Sequence, residues 1–162
     1  MNNILIRKIQ LTDNSAIAKI VREVLMELGA PKIGTAYADP NLDTLFESYQ
    51  NPKTVYFILE NNNKVIGGAG IAPLENDNNN ICELQKMYFL PEARQLGFGK
   101  MIIEKCLQAA VDFGFEKCYL ETMTYMQDAQ KLYTKVGFTY LDKPLGNTGH
   151  NSCPVFMIKN LI

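Results

Sequence analysis

The chain has only a single histidine, His150, and four cysteines, Cys82, Cys106, Cys118 and Cys153. No two cysteines stand at C-x-x-C spacing, so neither a structural zinc nor a histidine-rich catalytic metal is expected. They are scattered, and three fall in strand or helix patterns where a small buried hydrophobe fits, so disulfide pairing is not expected either. Basic residues form no run and do not alternate with aromatics, and the formal net charge is −1, which argues against nucleic acid or a membrane surface as partner. No apolar stretch reaches 18 residues, and MNNILIRKIQ at the start lacks the apolar run of a signal peptide. A cytoplasmic protein is expected. At 162 residues, with 47% hydrophobic and 20% charged residues, the chain suits one domain over 1–162 that buries a core without staples.

The most informative stretch is 81–113. Cys82 and Leu84 alternate with Glu83 and Gln85, the period of a strand, and a break at Pro91 leads into Arg94-Gln95-Leu96-Gly97-Phe98-Gly99. Ile103, Cys106, Leu107 and Ala110 then keep helical spacing up to Gly114. A strand therefore feeds a glycine-containing loop that opens a helix. The first turn of a helix carries unpaired N–H groups and the positive end of the dipole, so the junction suits an anion, phosphate above all.

Around it, a strand at 4–9 precedes a helix from the Thr12-Asp13-Asn14-Ser15 cluster to Gly29, with Ile17, Ile20, Val21, Val24, Leu25 and Leu28 on one face. Residues 32–39 read as irregular, and Leu42, Leu45, Phe46 and Tyr49 suggest a shorter second helix. Strands at 54–59 and 65–72 flank Asn61-Asn62-Asn63, which predicts an antiparallel hairpin. A polar loop over 75–80 leads to the 81–89 strand. A strand at 117–122 completes a parallel crossover. Thr124 and Gln127 have capping-box spacing before a helix through Ala129, Leu132, Tyr133 and Val136, and strands near 138–141 and 154–159 close the chain. This order predicts an α+β fold, a mixed and mostly antiparallel sheet of about seven strands with helices on both faces.

Two nucleotide-binding readings fail. A dinucleotide fingerprint needs three glycines after a first βα strand and a later ribose-binding acid, and no G-x-x-x-x-G-K-[ST] occurs. What the residues do carry is a resemblance. Glu83-Leu84-Gln85-Lys86-Met87-Tyr88-Phe89-Leu90-Pro91, then Arg94-x-x-Gly97-x-Gly99, then Ala129-Gln130-Lys131-Leu132-Tyr133-Thr134-Lys135-Val136-Gly137-Phe138, resembles the GNAT superfamily of acyl-CoA-dependent N-acetyltransferases.

The resemblance implies an enzyme that uses acetyl-CoA as co-substrate and needs no metal. Coenzyme A would be held by Arg94, Gln95, Leu96, Gly97, Phe98, Gly99 and Lys100 through their amides, with a Cβ at 97 or 99 obstructing close approach. Its pantetheine arm would pair with Met87, Tyr88 and Phe89, where this strand splays from 117–122 in the family; this sequence marks no β-bulge to cause the splay. Tyr133 matches the tyrosine that serves as acid toward sulfur, although its place on an apolar stripe also suits plain packing. Glu83 is the candidate base, sharing a face with Met87 in a regular strand. His150 and, more weakly, Glu121 are alternatives, and an exposed carboxylate or solvated loop histidine is the plain reading of each. Gln95 replaces a frequent glycine and Met126 a frequent asparagine, whose polar contact Gln127 or Gln130 would have to replace.

The function implied is transfer of an acetyl group to a primary amine by direct attack in a ternary complex, since no Cys-His pairing supports an acyl-enzyme. The alternative is a non-catalytic coenzyme A or acyl-CoA sensor of the same fold. The acceptor, a small amine or a protein amine, is not encoded readably, and monomer and homodimer both stay open.

Overall fold

The computed structural model describes residues 3–162 apart from 76, 78 and 79. Strands β1 (Ile4–Lys8), β2 (Val55–Asn61), β3 (Lys64–Pro73), β4 (Ile81–Phe89), β5 (Lys117–Thr122), β6 (Thr139–Leu141) and β7 (Val155–Asn160) form one sheet in the order β1-β2-β3-β4-β5-β7-β6. Among the described residues only β4 and β5 run parallel, joined through a helix, and every other pair is antiparallel. The expected mixed, mostly antiparallel α+β sheet is the one found.

Helices α1 (Asn14–Glu27) and α2 (Leu45–Ser48) cover one face, and α3 (Phe98–Asp112) and α4 (Gln127–Lys135) the other. Of the stripe predicted on α1, Ile17, Ile20, Val21, Val24 and Leu25 pack with Leu42, Leu45, Tyr56 and Ile58, whereas Leu28, the C-cap, is exposed. On the opposite face Ile102, Ile103, Cys106, Leu107 and Ala110 of α3 pack on Leu59, Ile71, Leu84 and Leu120. All four cysteines are free and buried. Burying such side chains is worth roughly 1.5–3 kcal/mol each for the larger ones, and these two layers fix the sheet between them.

Three local expectations are revised. The second helix is short: a 3-10 turn at Leu42–Thr44 and four residues of α2 replace the single helix suggested over 42–49. Thr124 does not cap α4. The N-cap is Met126 without a side-chain cap bond, and Gln130 Nε2 instead donates to the Met123 and Thr124 carbonyls at 2.8 and 3.2 Å, anchoring the turn from one helical turn further on. The Asn62-Asn63 turn does adopt φ of +51° and +66°, as the hairpin requires. The polar loop expected over 75–80 lies partly outside the described residues.

The third revision positions the site. Gly68 pairs with Tyr88 but Gly70 with Gln85, so β4 carries one residue more than β3 between these points, and Lys86 sits there at φ +49°. This is the bulge that the sequence does not mark. Glycines at 68 and 70 make room for it indirectly, because a Cβ at either would lie 2.5–2.6 Å from the Tyr56 ring. That ring crosses under β3, and its hydroxyl donates to the Lys86 carbonyl at 2.7 Å. The bulge shifts the strand's parity. Glu83 and Gln85 bond to each other at 2.7 Å, and Gln85 accepts from Tyr49 of the α1 layer, whereas Met87 packs in the α3 layer. Glu83 and Met87 therefore do not share a face, contrary to regular alternation.

Candidate active site

Parallel pairing between β4 and β5 covers only Ile81 with Lys117, Cys82 with Cys118 and Glu83 with Tyr119. Past Glu83 the strands part, and a cleft of about 480 Å³ opens between them. Met87, Tyr88 and Phe89 line it from β4, Leu120, Glu121 and Thr122 from β5, Leu132 and Tyr133 from α4, and Arg94, Gln95, Gly97, Gly99 and Lys100 from the loop and first turn of α3. The structure thus brings together most of the residues the resemblance nominated. Leu96 is exposed, and neither it nor Phe98 lines the cleft, so any part they play falls to the backbone.

At the α3 end the backbone is shaped for an anion. Gly97 caps the helix at φ +84°, and the first amide with a helical acceptor is that of Met101, 3.2 Å from the Gly97 carbonyl. A Cβ at 97 would meet nothing within 4 Å, so on the protein side glycine is required by the left-handed φ alone. At 99 the neighbour is Leu132, whose Cδ2 would be 2.8 Å from a Cβ. Gln95 also stands in the left-handed region, at φ +61°, which a glycine would enter without strain. Arg94 is not a free cation: its Nη1 and Nη2 bond Glu27 at 2.8 and 2.9 Å and its Nε donates to the Phe89 carbonyl at 3.0 Å. Lys100 is exposed and only 3.8 Å from Glu104.

Midway along, Tyr133 is 6% exposed, stacked edge-on against Phe138 at 5.9 Å, and its hydroxyl has no hydrogen-bond partner among the described residues. Burial pushes its phenol well above the ordinary tyrosine range, so it stays protonated. Glu83, also 6% exposed, is pushed up to about 7 by burial, against the opposing pull of the Gln85 hydrogen bond and of His150. A buried carboxyl that exchanges its proton near neutrality suits acid–base work. Glu121 accepts from the Tyr119 hydroxyl at 2.6 Å and from Thr148. Met126 lines the cleft where the asparagine was expected, its sulfur accepting from Thr122 at 3.3 Å.

The far end holds residues the sequence did not connect. His150 Nε2 lies 2.8 and 3.0 Å from the two oxygens of Asp39, and Lys86 Nζ lies 2.8 Å from Asp39 Oδ2. Asp39 sits in the irregular 32–39 segment and Lys86 on the bulge, and neither was singled out; nothing local in the sequence would have found them. His150 is not a solvated loop side chain but a fixed part of the cleft wall. Burial opposes ionisation of Asp39, but His150 and Lys86 together hold its carboxyl below the usual range. Cys153, beside them, is pushed up to about 12 by burial and by nearby carboxylates. Among the described residues no group of three His, Cys, Asp or Glu side chains is placed to hold a metal, and no helix is long and apolar enough to cross a membrane.

Comparison with known proteins agrees with this geometry. Residues 22–138 match the Acetyltransferase (GNAT) family. The chain is 44% identical to the uncharacterized N-acetyltransferase YjgM of Escherichia coli K12, over 99% of this chain and 100% of that protein. A GNAT-family acetyltransferase crystal structure from Staphylococcus aureus Mu50 superposes with a TM-score of 0.88 at 22% identity, covering 99% of this chain and 100% of that one. The Salmonella typhimurium putative acetyltransferase yncA, solved with acetyl-CoA, superposes with a TM-score of 0.79 at 18% identity over 98% of this chain and 94% of that one. A parted sheet ending at a helix N-terminus, together with these matches, defines an acyltransferase fold. The chain belongs to the GNAT family and is an N-acetyltransferase.

Proposed function

We propose that the protein moves the acetyl group of acetyl-CoA onto a primary amine by direct attack, with both substrates bound in the one cleft and the whole chain acting as a single acetyltransferase domain. The observation that carries this reading is the continuity of that cleft: it runs from the free amides of α3, along the unpaired edge of β4, to Tyr133 on one wall and Glu83 on the other.

The residues fit the co-substrate. The amides from Gln95 to Lys100 suit its diphosphate, and Arg94, tied to Glu27 and Phe89, holds their loop in shape. Past Glu83 the edge of β4 at Met87, Tyr88 and Phe89 has no partner on β5, so its backbone is open to an extended arm. Acetyl-CoA supplies an activated acyl carbon and a thiol leaving group. Tyr133, neutral and without a hydrogen-bond partner among the described residues, is the acid that gives its proton to sulfur, and Glu83 is the base on the amine side. Cys153 stays a thiol, which supports direct transfer over an acyl-enzyme.

A panel of small polyamines, amino acids, aminoglycosides and peptide amines, followed by release of free coenzyme A, tests the reading. Turnover with at least one amine, strongly reduced in Tyr133→Phe, is expected. Binding of acetyl-CoA without transfer to any amine would favour the sensor and overturn it.

A further inference from the structure

Converting an ammonium into an amide removes two protons from nitrogen. The departing sulfur takes up one, so one is released to solvent. On the reading above, Tyr133 serves the sulfur and Glu83 can accept one proton from nitrogen, which leaves the other without a recipient. The cluster at the far end of the cleft contains one. Because Nε2 of His150 points at the Asp39 carboxylate, it carries the hydrogen, and Nδ1 is left as a lone-pair acceptor with no partner among the described residues. The His150 side chain is 18% exposed, so it reaches both cleft and solvent, while Glu83 is nearly sealed. Lys86, its side chain 6% exposed, pairs with the same carboxylate and fixes Asp39 from the bulge side. The 147–153 loop is further stitched to the 32–39 segment by Ser152 N and Oγ on the Gly34 and Ile33 carbonyls, both at 3.0 Å.

We propose that His150, aimed by Asp39, is a second base: it takes the first proton from the bound acceptor ammonium and passes it to solvent, and Glu83 takes the second as the bond to the acyl carbon forms. The nitrogen lone pair freed by His150 attacks that carbon, the carbon–sulfur bond breaks, and sulfur leaves with the Tyr133 proton. Glu83 then returns its proton to the Tyr133 oxygen through the cleft, so the enzyme is regenerated and one proton has gone to solvent. Asp39 is a positioning residue; His150 touches substrate. The inference rests on the acyl-transfer reading of this cleft.

The test uses an amine turned over in the panel. His150→Ala is expected to lose about 100-fold in kcat, the scale of a lost acid–base group, with the KM for acetyl-CoA and the melting temperature nearly unchanged. Added imidazole should restore activity in this variant and not in Glu83→Gln, since imidazole replaces an imidazole and a purely structural tie would not respond. Asp39→Asn should show a smaller loss, in kcat more than in KM. His150 is the only histidine, so the unmodified enzyme offers an independent check: diethylpyrocarbonate should inactivate it with one imidazole modified, and hydroxylamine should reverse this. Wild-type turnover with His150→Ala near full activity, or a loss that imidazole does not rescue in a folded variant, overturns the proposal while leaving the acyl-transfer reading intact. Absence of transfer by the wild type overturns both.

Discussion

Glu27 and Arg94, 67 positions apart, meet in two parallel bonds of 2.8 and 2.9 Å that tie the end of α1 to the loop before α3. Both side chains are partly exposed, at 45% and 33%, so the pair adds under about 1 kcal/mol to stability. Its consequence is geometric. Glu27→Ala is expected to leave urea unfolding almost unchanged but to raise the KM for acetyl-CoA several-fold by loosening the loop. Arg94→Ala, which also frees the Phe89 carbonyl, should raise it more. Initial rates at varied acetyl-CoA check both.

Gln95 holds a φ of +61°. A left-handed conformation costs a residue with a Cβ roughly 1–2 kcal/mol, so Gln95→Gly should recover up to about 1 kcal/mol after the greater freedom of an unfolded glycine is subtracted. A rise in melting temperature of about 2–4 °C is expected for a chain of this size, with little change in the KM for acetyl-CoA if only the amide at 95 is used.

Glu83 links stability to pH and, in its proposed role as base, catalysis as well. Burial raises its folded value to about 7, above an unfolded value near that of free glutamate. Folding therefore favours the protonated form. The contribution is fully present below the unfolded value and is lost as pH rises through about 7; its size is of order 3 kcal/mol. Glu83→Gln should thus stabilise the protein relative to wild type at pH 8 more than at pH 5, measured by urea unfolding. On the proposal that Glu83 is the base, which must be ionised, kcat/KM of the wild type should fall as pH drops below about 7.

Tyr133→Phe removes a hydroxyl with no hydrogen-bond partner among the described residues and keeps the ring packed on Phe138. A loss of about 100-fold in kcat is expected with less than about 1 kcal/mol change in stability. Loss of activity accompanied by unfolding would instead assign Tyr133 to packing.

The loop before α3 and that helix were legible because their signals are local. Glycine at 97, the break at Pro91 and the 3.6-residue stripe of α3 each act within a few residues, and the observed φ and buried face follow from them. The capping-box spacing at Thr124 makes no cap because the helix begins two residues later, with Met126 as its N-cap, and Gln130 Nε2 binds the Met123 and Thr124 carbonyls. Glu83 lines the cleft, but regular alternation gives it the wrong face, since one extra residue at Lys86 reverses the alternation and is held there by Tyr56 from two strands away.

The amino-acid order alone determined the elements, their sequence along the chain and the family motifs, because backbone preferences and apolar periodicity are settled between near neighbours. Only the tertiary structure decided which charges meet. His150 and Asp39 lie 111 positions apart, and Lys86 joins them through a bulge. Such a cluster exists because packing forces these groups out of bulk water together, where an unpaired charge costs far more than a paired one.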